Sequence, residues 1–431
     1  MSVLEPMGQA SCRGNIEGDI CELGNCLEKL EGRAANSASP SDIWRVTLKD
    51  GAMYKGIPVK RAWLKVFISS PEMPRKTDGL MYELRVYRNV VSPLIERHVC
   101  PNFVRYLSST TGCGFEDVQG ILSSQGVKEL NFKRSLCYMT TKPPPRDAHH
   151  QHIAPRKRPA INDHVTLKEV AAINNMKLDV HDLKFGMLLT QDRRVVTLSD
   201  WFKTPRNNSD FSCMMLQVTA ALRAMELSLF AHNDLHMRNI LVEENDAATN
   251  VMYIVDGRKF GICARFRILI FDFDRAYVKQ LGENKLIVHN ENYQKGFEPG
   301  RDLGSVLSLL FKRCSHAQAR ILEDAFNVKA GHYMQKLKGI RTPSRAPSFS
   351  AVVRGTYRLE ETGERINHRN AYVKFDRAPA VRRRAPMVVA MRHLYKHIDH
   401  QCSAADADFV YVCNQDMFDS KGRLRPNIRA K

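Results

Sequence analysis

The stretch DFSCMMLQVTAALRAMELSLF, Asp210–Phe230, constrains the fold more than any other part of this 431-residue chain. Phe211, Met214, Met215, Val218, Leu222, Met225 and Leu229 recur every three or four positions, the period that lines one face of an α-helix. Ser209 or Asp210 can cap its start, because a short side-chain oxygen accepts an otherwise unpaired first-turn N–H. A methionine-rich stripe of this kind reads as core. The helix runs straight into AHNDLHMRNILV, Ala231–Val242, where two His, one Asp and two Asn precede an apolar run. Strand-like segments NILVE, VMYIV and RILIFDF follow, and Asp256-Gly257 supplies a hairpin signal between the last two.

The rest of the chain fits around that centre. Residues 1–30 read as an N-terminal extension, a polar leader followed by a short helix with Ile16, Ile20, Leu23, Leu27 and Leu30 at helical spacing. Gly32–Ser41 is small and flexible, hence a loop. Strands DIWRVTL and VKRAWLKVFIS follow, with KDGAMYKG turning between them. DGLMYELRVYRNVVSPLIERH predicts a helix with Leu80, Leu84, Tyr87 and Val91 on one face, ended or kinked at Pro93. From about 111 to 182 the pattern breaks into an insert, and Thr140–Ala160 within it is Pro- and His-rich with little to bury. His149, His150 and His152 there read as tolerated in an insert rather than as metal ligands. LKFGMLLT predicts a buried strand and RDLGSVLSLLF another buried helix. RTPSRAPSFS, Arg341–Ser350, reads as a solvated basic linker.

Charge and cysteine usage bound the partners. The formal net charge of +19 favours an anionic partner, a nucleic acid or an acidic protein. It gathers in short clusters at Ala154–Pro159, Asp192–Arg194 and Val381–Pro386, a pattern equally suited to nuclear import. Eleven cysteines at irregular spacing point to reduced thiols rather than a disulfide framework. Cys12, Cys21 and Cys26 lack the fourth ligand of a zinc site. No apolar run reaches membrane-spanning length and no signal-peptide core opens the chain, so the expected location is intracellular, cytoplasmic or nuclear.

The loop within Ala231–Val242 makes chemical sense together with a third residue. Asp234 and Asn239 lie five residues apart, and Asp272 ends the apolar strand RILIF 33 residues after Asn239. One carboxylate to orient an attacking hydroxyl, plus an amide oxygen and a second carboxylate to hold Mg²⁺, is what phosphoryl transfer requires. The oxygen donors suit Mg²⁺, whereas a zinc reading of His232 with His236 lacks a third well-placed ligand.

This stretch resembles the catalytic loop of protein kinases, His-Arg-Asp-Leu-x-x-x-x-Asn, and DFD at Asp272–Asp274 resembles their Asp-Phe-Gly. The order of the other elements agrees. Lys65, in AWLKVF, stands where the kinase lysine contacts the α- and β-phosphates, and Glu83, eighteen residues on, where its glutamate partner belongs. FGMLLTQ matches the strand that leads to the adenine-binding hinge, near Thr190–Asp192. Asp302 resembles the aspartate that braces the catalytic loop. The resemblance covers about residues 30 to 312. It implies an α+β, two-lobed kinase-like fold, with a small β-rich N-lobe over 31–192 carrying the insert and a larger, mainly α-helical C-lobe over 193–431 with a C-terminal extension. It also implies ATP and Mg²⁺ as cofactors, a protein substrate, and a Ser/Thr protein kinase as the activity. The two inserts, about 111–182 and 243–266, and the compressed segment after Asp272 are similar to those of divergent serine/threonine kinases of large DNA viruses, which implies a host-cell location.

The departures shape the expectation. There is no Gly-x-Gly-x-x-Gly; EGRAANSASPSDIWRV keeps only Gly32. Asn233 replaces the arginine that normally receives an activation-loop phosphate, and no Ser or Thr lies between Asp272 and Asp302, only Tyr277 and Tyr293. His236 stands where Ser/Thr kinases usually carry Lys, either to contact the γ-phosphate or to orient Asp234. HxDLHxxN is similar to small-molecule kinases acting on aminoglycosides or choline, which gives one alternative function. The missing glycines give a second, a pseudokinase scaffold, and the net charge of +19 a third, a nucleic-acid-binding protein.

Overall fold

Alternating buried and outward residues on β5 (Arg61–Ile68) organise the first part of the molecule. Ala62, Leu64 and Val66 enter one apolar cluster, so Lys65 projects from the opposite face of the strand. The computed structural model describes residues 27–33, 41–50, 52–55, 57–68, 74–114, 117–118, 120–121, 184–193, 195–288, 296–297, 299–311, 313–327 and 386–426. β5 lies in a five-stranded antiparallel sheet with β1 (Leu27–Arg33), β2 (Asp42–Leu48), β6 (Tyr106–Cys113) and β7 (Phe185–Gln191), in the order β1-β2-β5-β7-β6. The short hairpin of β3 (Met53–Tyr54) and β4 (Ile57–Pro58) joins β2 to β5. Gly186 in β7 is required by packing: a Cβ there would stand 2.4 Å from the Phe67 ring.

Leu27 and Leu30, expected on a helix, are on strand β1 instead, where Leu27 pairs with Leu48 and Leu30 with Val46. Spacings of three fit a helix, but Leu27 fits the apolar cluster of the sheet better, and burial decides. Ile16, Ile20, Leu23 and the three N-terminal cysteines lie outside the described residues. So do residues 122–183 of the insert with their histidines and first basic cluster, Arg341–Ser350, and the third basic cluster up to residue 385.

The helix expected over Asp78–His98 is α1 (Pro74–Val86), a π-helical turn (Tyr87–Val91) and α2 (Ser92–Glu96). Pro93 therefore does not end it. The widened turn, closed by the Ser92 N–H on the Tyr87 carbonyl, precedes the proline, which sits in the first turn of α2 where its missing N–H costs nothing. Leu80, Leu84, Tyr87 and Val91 are buried, as the spacing predicts.

By its contacts the chain divides into two compact units, residues 1–84 with 106–193 and residues 85–105 with 194–431. In the second unit, β8 (Val195–Thr197) and α3 (Leu198–Trp201) lead to α4 (Asn208–Leu227). The cap of α4 is Asn207, whose side chain accepts the Asp210 N–H at 2.7 Å, so neither Ser209 nor Asp210 is the cap. Asn207 holds the extended backbone a cap needs, whereas both later residues are already inside the helix. The helix is buried all round from Phe211 to Met225, beyond the one face its periodicity marks.

β9 (Phe230–Ala231) follows, then a hairpin of β10 (Ile240–Val255) and β11 (Arg258–Ile270) that absorbs the whole expected insert at 243–266. NILVE and VMYIV form one strand, irregular between Glu244 and Thr249. The turn falls at Asp256-Gly257, both with positive φ (45° and 74°), as a tight two-residue hairpin demands. β12 (Tyr277–Val278) pairs with β9, and α5 (Lys285–Val288), α6 (Arg301–Leu310) and α7 (His316–Phe326) come next. α8 (Pro386–Tyr395) packs on α4 and α7. β13 (Phe409–Cys413) then joins β10 in parallel. The fold is mixed α+β. In the second unit the hairpin recruits β13 and β8 onto β10.

A buried polar network backs the hairpin. Asn102 donates to Gln217 Oε1 (3.1 Å) and the Ile268 carbonyl (2.9 Å), and accepts the Tyr253 hydroxyl (3.0 Å). Gln217 in turn accepts the Ile268 N–H at 3.0 Å. Every group is partnered, which makes such a network specify one packing. All seven cysteines among the described residues are unpaired, and burial pushes the Cys100 and Cys213 thiols up to about 12. No helix among the described residues is long and apolar enough to cross a membrane.

Candidate active site

In the first unit, Lys65 meets Glu83. Its Nζ lies 2.7 Å from Glu83 Oε2, and the two side chains are only 11% and 3% exposed. β5 supplies the lysine from the face turned away from the apolar cluster, and α1 supplies the glutamate. Taking two charges out of water costs more than their mutual attraction generally returns, so a pair this buried is weak support for stability. Removing one charge leaves the other stranded. Glu83→Gln is therefore expected to destabilise the protein by about 3 kcal/mol, while the Lys65→Met/Glu83→Leu pair recovers most of that loss. Urea unfolding of the three proteins checks it.

Thr190 stands near the end of β7, opposite Trp63 on β5 and Tyr106 on β6. Two residues on, Asp192 is bound by Arg45, with Nε 2.8 Å from Oδ2, and its N–H donates to the Arg61 carbonyl. This fixes the end of the segment read as a hinge.

In the second unit, hydrogen bonds tie Asp234, Asn239 and the residues around Asp272 into one circuit. The buried carboxylate of Asp302, in the first turn of α6, accepts the His232 N–H (2.7 Å) and the Asn233 N–H (3.0 Å). Burial raises this carboxyl above its ordinary value, opposed by the two N–H bonds and neighbouring positive charge. His232, fully buried, donates from Nε2 to the Phe271 carbonyl at 2.8 Å. Phe271 N–H donates to the Asn239 carbonyl, and Asn239 Nδ2 donates to the Asp234 carbonyl at 3.0 Å. Asn233 and Asp272 both take left-handed backbone, φ 67° and 68°. Asn and Asp tolerate that region better than other non-glycine residues, and the two turns re-aim the chain on either side of the site.

Phe273 locks the far side. It is fully buried, with ring centroids 5.0 Å from Tyr87, 5.5 Å from Phe230 and 5.3 Å from His232. Asn284, also buried, donates to the Asp274 and Ala276 carbonyls at 2.9 and 2.8 Å, propping the segment after Asp272. Asn239 spends its amide nitrogen on the Asp234 carbonyl, which turns Oδ1 into the acceptor left to the side chain. An amide oxygen of this kind, like the carboxylate of Asp272, is a hard donor, of the type Mg²⁺ takes and Zn²⁺ does not prefer. Among the described residues, no group of three or more His, Cys, Asp or Glu stands together to hold a metal.

Two contributors escaped the sequence reading. Arg275 Nη1 lies 2.5 Å from Asp234 Oδ2, whereas His236 Nε2 lies 3.9 Å from the same oxygen. The charge immediately after DFD was the available signal for Arg275; nothing in the sequence marked Asn284. Neither a scan of the chain against protein-family models nor a search of the curated proteins found a match.

Proposed function

We propose that this protein is an ATP-dependent phosphotransferase, a serine/threonine protein kinase that moves the γ-phosphoryl group of Mg-ATP to a protein hydroxyl. The observation that carries the reading is the circuit Asp302–His232–Phe271–Asn239–Asp234, which joins a carboxylate, an amide oxygen and the approach to a second carboxylate through buried or backbone bonds. Bound Mg²⁺ would neutralise charge on the phosphates. Asn239 and Asp272 would hold it. Asp234 would orient the acceptor hydroxyl and take its proton as the oxygen–phosphorus bond forms and the bond to ADP breaks. Lys65, braced by Glu83, would grip the α- and β-phosphates. Incubation with Mg²⁺, γ-labelled ATP and mixed protein acceptors tests this: protein-bound label is expected, and its absence would overturn the reading. Label on small hydroxylated metabolites alone would favour a small-molecule kinase.

Regulation follows from Asn233. Its Nδ2 donates to the Arg275 carbonyl at 3.0 Å, so a neutral amide ties the segment after Asp272 to the loop in place of a phosphate–arginine contact. Phosphatase treatment, or Tyr277→Phe with Tyr293→Phe, should leave the rate within about twofold. A larger fall on dephosphorylation would show a switch in this segment.

A further inference from the structure

Asp234 is a carboxylate with an arginine and a histidine beside its Oδ2. Arg275 Nη1 reaches Oδ2 at 2.5 Å, and His236 Nε2 faces that same Oδ2 from 3.9 Å, beyond hydrogen-bond distance. The imidazole is held there because its Nδ1 accepts the Arg238 N–H at 3.2 Å. The Arg275 backbone is fixed independently by the Asn233 bond to its carbonyl. Its Nε lies 4.0 Å from Asp274 Oδ1, so the guanidinium sits between two carboxylates of the site.

On this geometry, and resting on the phosphotransferase reading, we infer that Arg275 is the positioning residue for Asp234. It pins Oδ2, so that Oδ1 is presented to the acceptor hydroxyl. It also sets a permanent positive charge beside the attacking oxygen, the place that His236 at 3.9 Å from Oδ2 is too distant to fill. A guanidinium stays protonated across all working pH values and binds a carboxylate in a fixed plane, whereas an imidazole loses its charge near neutrality. The cation of the catalytic loop is thereby supplied from the segment after the metal motif, 41 residues along the chain.

The test compares wild type, Arg275→Ala, Arg275→Lys, Asp234→Ala and the Asp234→Ala/Arg275→Ala double variant, using Mg-ATP and one labelled protein acceptor. Thermal unfolding confirms that each is folded; should Arg275→Ala fail, Arg275→Gln keeps the length of the side chain and takes its place. Arg275→Ala is expected to lower kcat about 100-fold with the KM for ATP changed less than about threefold. Arg275→Lys should recover about tenfold, because it restores charge without the planar fork. In the Asp234→Ala background the arginine substitution should cost nothing further, the mark of a residue acting through its partner. If kcat of Arg275→Ala stays within about twofold of an active wild type, or rises, the inference fails and the phosphotransferase reading stands. An equal loss in both backgrounds also overturns it. A wild type that transfers no more label than Asp234→Ala overturns both.

Discussion

Asp234→Asn is expected to lower phosphoryl transfer at least about a thousandfold while leaving the protein folded. The substitution keeps the shape of the side chain and an oxygen that can still accept from Arg275, but removes the carboxylate proposed as the base for the acceptor proton. The Asp234 and Arg275 side chains are 24% and 39% exposed, so losing the charge in their pair should cost stability less than about 1 kcal/mol. The residues proposed to hold Mg-ATP are untouched, so binding of the nucleotide should persist. The decisive pair of measurements is single-turnover transfer of label and a thermal-shift titration with Mg-ATP. Transfer within tenfold of wild type would remove Asp234 from the proposed chemistry.

Asp302→Ala should cost about 3 kcal/mol of stability, because a buried and a part-buried N–H group lose their acceptor together. The loss is smaller than the sum of two full desolvation penalties, since the variant is spared the burial of a carboxylate. The pH dependence carries its own sign. Burial raises the folded pKa of Asp302 above the ordinary value of 3.8, so the folded chain binds this proton more readily than the unfolded chain. Its titration therefore stabilises the fold most below 3.8, and that contribution is lost as pH rises through the folded value. A carboxyl ¹³C titration and urea unfolding of both proteins check these two claims. An Asp302 that titrates at or below the ordinary value, or a variant as stable as wild type, would refute them.

What the sequence made legible follows from how far apart the interacting groups lie. Asp234 and Asn239 could be paired by eye because one turn separates them, and the structure joins them directly. Strand β7 and helix α6 were legible from unbroken apolar patterns, and the hairpin turn from Asp256-Gly257. Asn102 was not: it reads as a polar residue in a loop, and its partners Gln217 and Tyr253 are 115 and 151 residues away. Arg275 was missed for the same reason. The cap of α4 was placed too late because Asn207, Ser209 and Asp210 have similar capping chemistry, and only the backbone geometry separates them. β13 could not be foreseen, since a parallel partner needs no nearby turn to announce it.

That parallel pairing bears on how the polypeptide is made. Residues 409–413 line up with 251–255, and the Asp408 carboxylate accepts the Asn250 N–H across a separation of 158 residues. While a ribosome is still translating the intervening stretch, the outer edge of β10 has no strand to cover Val251–Val255. An open edge of that kind is a template for unwanted association. The second unit can thus close only after residue 413 has emerged, which makes its maturation late and slow by the cost of gathering so distant a segment. A stop codon placed just beyond α8 would leave both carboxylates of the candidate site encoded, yet the product would be a substrate for proteases and chaperones.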